Sequence, residues 1–440
     1  MVSSALNGLT FRGDLFYPAA MLEPATPDQF AASSTLAPTT PASELRARAE
    51  RLQALMREAG IDGLMATQNA DVFYLAGVVQ QAQVYVPSEG DPLLMVRKHH
   101  GRAGTDSSLD PSRVVAVRSL RELPALIEGA GGGKPRRIGF EWDTLPVSIY
   151  SAYAKALADL GAELVDGSML FRQARRIKSP FELAQMKRAA DIAVIGVKAA
   201  AEKLREGVSE LELAAHVEAA TRSAGHRGLL WMRAFGQEMH MGHLLAGESG
   251  GLPSFMNSPT GGTGLGPWGP YGASLRPIQR GEPIFLDYTG EWGGYIADQT
   301  RMLSIGTLSN FWLDAYAAMR DVLEYLEREV KPGITSGQLY GMAQERAVSL
   351  GYGDNFMGPP EGKSPGQKVP FVGHSVGLEL DEWPPLQKGT DAVLEAGMVL
   401  AIEPKLIYLD RGAVGLEDTF LLTSDGLQPI TYASREIAVV

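Results

Sequence analysis

Four acids and one histidine end or interrupt apolar, strand-like runs in the last third of this 440-residue chain: Asp287, Asp298, His374, Glu403 and Glu417. Asp287 closes the run PIFLD (283–287), and Asp298 follows in GGYIADQTR. Strand ends are where sites are built. Four carboxylates brought to one buried place repel one another and tend to take up protons, because burial and like charge both disfavour the ionised form. Two divalent cations would remove the conflict, setting four positive charges against four negative ones. His374 adds a neutral nitrogen, and this mixture of oxygen and imidazole suits Mn, Fe, Co or Zn better than an all-oxygen calcium site. Taken singly, each position reads as an ordinary exposed acid or a core histidine; five in such settings point to a metal centre.

The rest of the chain supplies a scaffold of alternating strands and helices. Residues 43–60 carry apolar side chains at helical spacing (Leu45, Ala49, Leu52, Leu55, Met56), with Gly60 as the stop. The runs DGLMAT, DPLLMVRK, RVVAV, RIGFEW and AELVDG then read as strands, separated by helical text such as VSIYSAYAKALADL, and together predict a small α/β unit. Ser179, Pro180 and Glu182 form a strong helix start: a capping serine, proline at the first helical position and a glutamate placed to reach back. A domain boundary is therefore expected just before it, near Gln173. Further helices are expected at 210–224, 311–330 and 336–350, where Thr335 and Gln338 repeat the capping pattern. The division is thus residues 1–41 as a loosely ordered arm, 42–172 as the first domain and 173–440 as the second. Phe11, Leu15, Phe16 and Tyr17 in the arm are candidates to dock on a neighbouring subunit.

Composition excludes several classes. A net charge of −11 argues against nucleic acid or an anionic membrane as the main partner, since both demand a basic face. The absence of cysteine removes disulfides, zinc–thiolate sites and thiol catalysis. The opening MVSSALNGLTFRGDLFYPAA lacks a basic start followed by an apolar core, and no run approaches a membrane span, so the expected location is cytoplasmic.

IFLDYTGEWGGYIADQTR, PFVGHSVGLELDEWP, EAGMVLAIEP and AVGLEDTFLLTSDG resemble, in the right order, the metal-binding segments of the M24 metallopeptidase family, the pita-bread fold of methionine aminopeptidase, Xaa-Pro aminopeptidase, prolidase and creatinase. The resemblance covers roughly the whole chain after the first forty or so residues. It implies an α/β (α+β) protein with a creatinase-type N-terminal α/β domain, in which ADVFYLAGV takes the place of that domain's first strand-to-loop text, followed by a C-terminal pita-bread domain. It also implies roles: Asp287 on a first metal, Asp298 and Glu417 bridging both, His374 and Glu403 completing the second. Two ions roughly 3.5–4 Å apart can share a water, lower its pKa and present it as hydroxide beside a polarised carbonyl. The implied activity is that of a dinuclear, Xaa-Pro peptidase-like metallohydrolase cutting a small peptide or peptide-like amide, with manganese first among the candidate metals and Co, Fe or Zn behind it. A homodimer is implied as well.

The sequence departs from the family around this set. Family members carry a histidine seven residues after the metal histidine, where Asp381 stands here, and another about seventeen residues before the first metal aspartate, which falls on Pro270. Prolidases place arginines where this chain has Pro385 and Gly415. An ionised Asp381 cannot donate to an oxyanion, though it suits a cationic substrate group. Without the arginines, the fork for a dipeptide's C-terminal carboxylate is missing. Candidate replacements lie in MRAFGQEMHMGHLLAGESGG, where Arg233, Glu238, His240 and His243 stand; the plainer alternative puts both histidines on a solvated face. The catalytic candidates are thus Glu403, Asp381, His240 and His243. A second reading keeps the metals and changes the substrate to a small, cationic molecule, cleaved by an amide hydrolase or a lyase. A non-enzymatic binding module is disfavoured, because such relatives have generally lost the ligands.

Gly261 to Gly266 (GGTGLG) superficially resembles a phosphate-cradling loop but neither follows a clear strand nor opens a helix, so it reads as a flexible active-site flap. His99, His100, His216 and His226 are expected at surface or helix positions with structural roles. Trp268, Trp292 and Trp383 fall near the proposed site in sequence, as an apolar wall or as core.

Overall fold

The helix expected from residue 43 forms as Ala42–Ala59, with Leu45, Ala49, Leu52 and Met56 buried. Gly60 ends it in the left-handed region (φ 64°), which a glycine enters without a Cβ clash. The computed structural model describes residues 37–360 and 368–440, so most of the expected N-terminal arm, with Phe11, Leu15, Phe16 and Tyr17, lies outside the described residues.

A six-stranded mixed sheet follows, made of β1 (Gly63–Ala66), β2 (Ala82–Pro87), β3 (Leu93–Val96), β4 (Val114–Ala116), β5 (Arg137–Phe140) and β6 (Glu163–Asp166) in the order β4-β3-β2-β1-β5-β6. Five of the six coincide with the strand-like runs. The sixth, β2, was not anticipated, because Gln83 breaks its apolar text; that side chain is buried all the same. ADVFYLAGV forms a helix, Asn69–Ala76, rather than a strand leading into a loop. The Gln68 side chain caps it by accepting from the N–H groups of Ala70 and Asp71, and a local cap of this kind outweighs the β-preference of Val72, Phe73 and Tyr74.

Ser179 opens the long helix Pro180–Lys203 through the expected capping box with Glu182. Gln173, placed at the domain boundary, falls inside the helix Ser168–Arg175, so the break between helices lies at residues 176–179. The buried face of Pro180–Lys203 is rich in alanine, which lets backbone approach closely. A Cβ on Gly290 would lie 1.8 Å from the Ala189 carbonyl oxygen.

The C-terminal part is built on two antiparallel-dominated sheets. The first contains β7 (Gly242–Ala246), β8 (Ile284–Tyr288), β11 (Thr300–Ser304) and β19 (Ala438–Val439), in the order β19-β11-β8-β7. The second contains β12 (Phe371–Ser375), β13 (Glu382–Gln387), β14 (Val399–Ile402), β17 (Asp418–Thr423) and β18 (Gly426–Pro429), in the order β13-β12-β14-β17-β18. Two hairpins, β9 (Gly290–Trp292) with β10 (Tyr295–Ala297) and β15 (Lys405–Tyr408) with β16 (Gly412–Gly415), complete it. A backbone bridge between Thr300 and Glu417 joins the first sheet to the start of β17. Helices Asn310–Glu329 and Ser336–Ser349 pack over the core, the first through Ala315, Met319, Val322 and Leu326 at helical spacing. Phe285, Leu400, Ile402 and Phe420 from the strands meet them, each burial contributing roughly 1.5–3 kcal/mol.

Candidate metal centre

Each of the five sequence-selected residues sits where a strand begins, ends or is bridged. Asp287 is on β8, opposite Thr300 of β11 and His243 of β7. Asp298 directly follows β10, Glu403 directly follows β14, Glu417 lies between β16 and β17, and His374 is on β12. The apolar strand residues beside them anchor the backbone, so the acids are held at the mouth of the core. All four acids are buried, and all five residues line one cavity of about 450 Å³.

Within it, Asp298, His374 and Glu417 offer ligand atoms that lie within 4.8 Å of one another. His374 Nδ1 is 3.1 Å from the Ser375 carbonyl oxygen, which can only accept, so Nδ1 carries the proton and Nε2 keeps its lone pair. Nε2 is 3.9 Å from Asp298 Oδ2. Glu417 Oε2 accepts from Thr300 Oγ1 at 2.9 Å, while its Oε1 is buried with no hydrogen-bond partner among the described residues. A buried carboxylate oxygen left unpaired is costly, and a cation beside it removes the cost. Burial, then the charge of Asp287, pushes Asp298 up to about 7. Burial, then Asp298, holds Glu417 well above the usual carboxylate range. These are the shifts that a divalent ion reverses, so the donor set fits a metal.

Lys405, missed in the sequence, joins the acids. Its ammonium lies 3.0 Å from Asp287 Oδ2 and 2.5 Å from Glu403 Oε2, and the side chain is 1% exposed. Burial raises Asp287, but Lys405 and then His243 outweigh it and hold that carboxyl below its usual value. The signal was present: a lysine opening the apolar strand KLIY, two residues after Glu403.

The other candidates separate. His243 is buried, lines the cavity, and places Nε2 3.0 Å from Thr260 Oγ1 and 3.5 Å from Asp287 Oδ2. Burial pushes its imidazole below the usual value. His240 is not brought to the cavity; its half-exposed ring lies 3.4 Å from Glu218 on the helix Glu210–Ser223. Asp381 is partly exposed on the cavity wall, its Oδ1 3.7 Å from His374 Nδ1. Glu238 is exposed. Arg233 reaches the cavity with its fork already engaged, Nε and Nη2 on Asp143 at 2.7 and 2.9 Å and Nη1 on Asp71 at 2.7 Å. Arg172 also binds Asp143.

Met232, Met239, Met256, Tyr271 and Phe371 provide the apolar wall, and none of Trp268, Trp292 and Trp383 lines the cavity. Of the GGTGLG run only Gly261 reaches it, and the run is tied down rather than loose: Gly262 and Gly264 donate to Leu252 and Gly272, and Gly272 donates to Gly261. His226 is buried rather than at the surface. Its Nδ1 accepts from Gly228 N–H, its Nε2 meets Thr289 Oγ1, and burial, then Arg227, pushes it down to about 4. His99, His100 and His216 are exposed.

Comparisons with known proteins agree with this frame. The model for the creatinase/prolidase N-terminal domain matches residues 48–177, and that for metallopeptidase family M24 matches residues 184–424. The chain is 27% identical to the Xaa-Pro dipeptidase of Pyrococcus furiosus, over 89% of this chain and 100% of that one. It is 27% identical to the uncharacterized peptidase YqhT of Bacillus subtilis, over 89% and 99%. The solved structure of an Xaa-Pro dipeptidase from Bacillus anthracis superposes with a TM-score of 0.75 at 26% identity, covering 90% of this chain and all of that one. With over half of its length matched by the family model, the chain belongs to metallopeptidase family M24, a family of hydrolases, and carries a creatinase/prolidase N-terminal domain ahead of the M24 domain.

Proposed function

We propose that this protein is a divalent-metal-dependent hydrolase of the Xaa-Pro peptidase type, cleaving a small peptide or peptide-like amide. The observation that carries the reading is the convergence of Asp298, His374 and Glu417, with the unpaired Glu417 Oε1, on the floor of a 450 Å³ cavity. Metal dependence is general in the family; the identity of the ion, with manganese the first candidate, belongs to this proposal, as do a cytoplasmic location, a homodimer and a domain boundary near Gln173. Among the described residues no helix is long and apolar enough to cross a membrane.

A divalent ion bound here would polarise the scissile carbonyl and make a water acidic enough to attack at neutral pH. The chain's own groups do the rest. Glu403, with Oε2 held by Lys405, is assigned the proton released by the attacking water, at Oε1, for transfer to the leaving nitrogen. His243, uncharged when buried, is placed beside Thr260 to orient the substrate carbonyl. The methionines, Tyr271 and Phe371 exclude water and receive the apolar part of the substrate.

A second reading is favoured by one specific contrast. The guanidinium groups of Arg233 and Arg172 are committed to Asp143, whereas Asp381 presents a partly exposed carboxylate to the cavity. That arrangement suits a small cationic or amino-bearing substrate better than a dipeptide carboxylate. The test is a metal-reconstituted enzyme assayed on Xaa-Pro dipeptides and on cationic small amides in parallel. Turnover of the dipeptides supports the first reading; turnover confined to the cationic amides supports the second. Inactivity on both, with no metal retained, overturns the proposal.

A further inference from the structure

Reading this cavity as a metal centre leaves one side chain without a role. The Lys405 ammonium lies 2.5 Å from Glu403 Oε2, 3.0 Å from Asp287 Oδ2 and 3.6 Å from Glu417 Oε2. These are the oxygens that an ion on Asp287, bridged to the other acids, would need. A monovalent and a divalent cation compete for the same lone pairs, and in a buried place little water screens their repulsion.

Lys405 is also built in. It is 1% exposed, with Nζ 5.2 Å from the centre of the Phe285 ring. Across the β15–β16 hairpin it pairs with Gly415, where a Cβ would lie 2.8 Å from Lys405 Cγ. That Cβ would also meet the Pro404 carbonyl oxygen at 2.6 Å, so glycine at 415 is what leaves the hairpin backbone and the Lys405 stem their room. By contrast, Asp298 and His374 make no ion pair with a lysine or arginine among the described residues, Lys405 touches this cluster only at Glu417 Oε2, and Glu417 Oε1 is left unpaired.

We propose that the centre holds one divalent ion, on Asp298, His374 and Glu417, and that the Lys405 ammonium takes the place between Asp287 and Glu403 where a second ion would sit. This rests on the metal-dependent reading above and replaces the expected ion pair with one ion and one fixed, non-exchangeable cation. Asp287 then neutralises Lys405 and is not a metal ligand. Glu403, bonded to the ammonium, is held in place whether or not metal is present.

The test counts metal. Full-length protein stripped with chelator and dialysed against excess Mn²⁺ is measured by elemental analysis, native mass spectrometry and Mn²⁺ electron paramagnetic resonance. One Mn²⁺ per chain with an uncoupled spectrum is expected, rising to two in Lys405→Ala, staying at one in Asp287→Asn and falling to none in Asp298→Asn. Two Mn²⁺ per chain with an exchange-coupled spectrum in the parent overturns this inference while leaving the metal-dependent reading intact; no bound Mn²⁺ in the parent overturns both. A folded Lys405→Ala protein that still binds one ion also overturns it. Should Lys405→Ala fail to fold, Asp287→Asn decides: loss of its ion would put Asp287 among the ligands.

Discussion

His243 stands directly across the β7–β8 ladder from Asp287, with its Nε2 3.5 Å from Asp287 Oδ2. Forty-four residues separate them in the chain, so spacing sought a histidine at position 270 and found proline; strand register supplies the imidazole instead. His243→Ala should lower kcat/KM by about 10²-fold or more, as loss of a positioned polar group in a closed site does. His240→Ala should stay within about twofold of the parent. Steady-state kinetics on whichever substrate class the parallel assay turns over checks both, and equal effects would remove His243 from the site.

Asp298→Asn and Glu417→Gln should each abolish turnover and bound metal together, because each removes one charged donor from a cluster of three. Elemental analysis beside the activity assay is the measurement. Metal retained at parental level in either variant would refute the ligand assignment.

Gly415→Ala should destabilise the fold by roughly 1–3 kcal/mol, the usual range for overpacking. Its new methyl would meet the Pro404 carbonyl oxygen at 2.6 Å as well as the Lys405 stem. Urea unfolding followed by tryptophan fluorescence gives the value. An unchanged midpoint would show that the hairpin has room to spare.

Acid should weaken the fold through the buried ion cluster around Glu382 at the cavity wall. Burial pushes Glu382 up, but Arg175 and then Lys178 outweigh it and hold the carboxyl at about 2, against an ordinary 4.5. A carboxylate depressed in the folded state contributes its stability fully above the unfolded value, and loses it as pH falls from about 4.5 toward about 2. That contribution is on the order of 3 kcal/mol, for a group that is almost fully buried. Glu382→Gln should therefore be less stable than the parent at pH 7, with the gap narrowing as pH falls below 4.5. Chemical denaturation at a series of pH values follows it, and a gap independent of pH would rule the ion cluster out as the cause.

Where the chain speaks locally, the fold was legible. Ser179 with Glu182 and Thr335 with Gln338 announce helices that begin where those caps say, because a cap is a contact between residues three apart. The helix Asn69–Ala76 was misread because Val72, Phe73 and Tyr74 look like strand until the side-chain cap at Gln68 is seen. The acids of the centre could be picked out because each breaks an apolar run. Lys405 left its mark in the text, a lysine opening an apolar strand, but its meaning lies in oxygens from Asp287, far off in the chain. His240 and His243, three residues apart and alike in text, were told apart only by which one the ladder carries inward.

Arg233 belongs to the M24 domain, yet Asp71 and Asp143, which neutralise it, belong to the domain ahead. One wall of the proposed reaction chamber is thus fastened by bolts driven from outside the M24 domain. A fragment beginning at the helix Pro180–Lys203 would inherit every proposed ligand, yet its Arg233 would lose both aspartates and keep only Glu379 at 3.8 Å, so the leading domain is part of the architecture of the proposed site rather than luggage carried beside it.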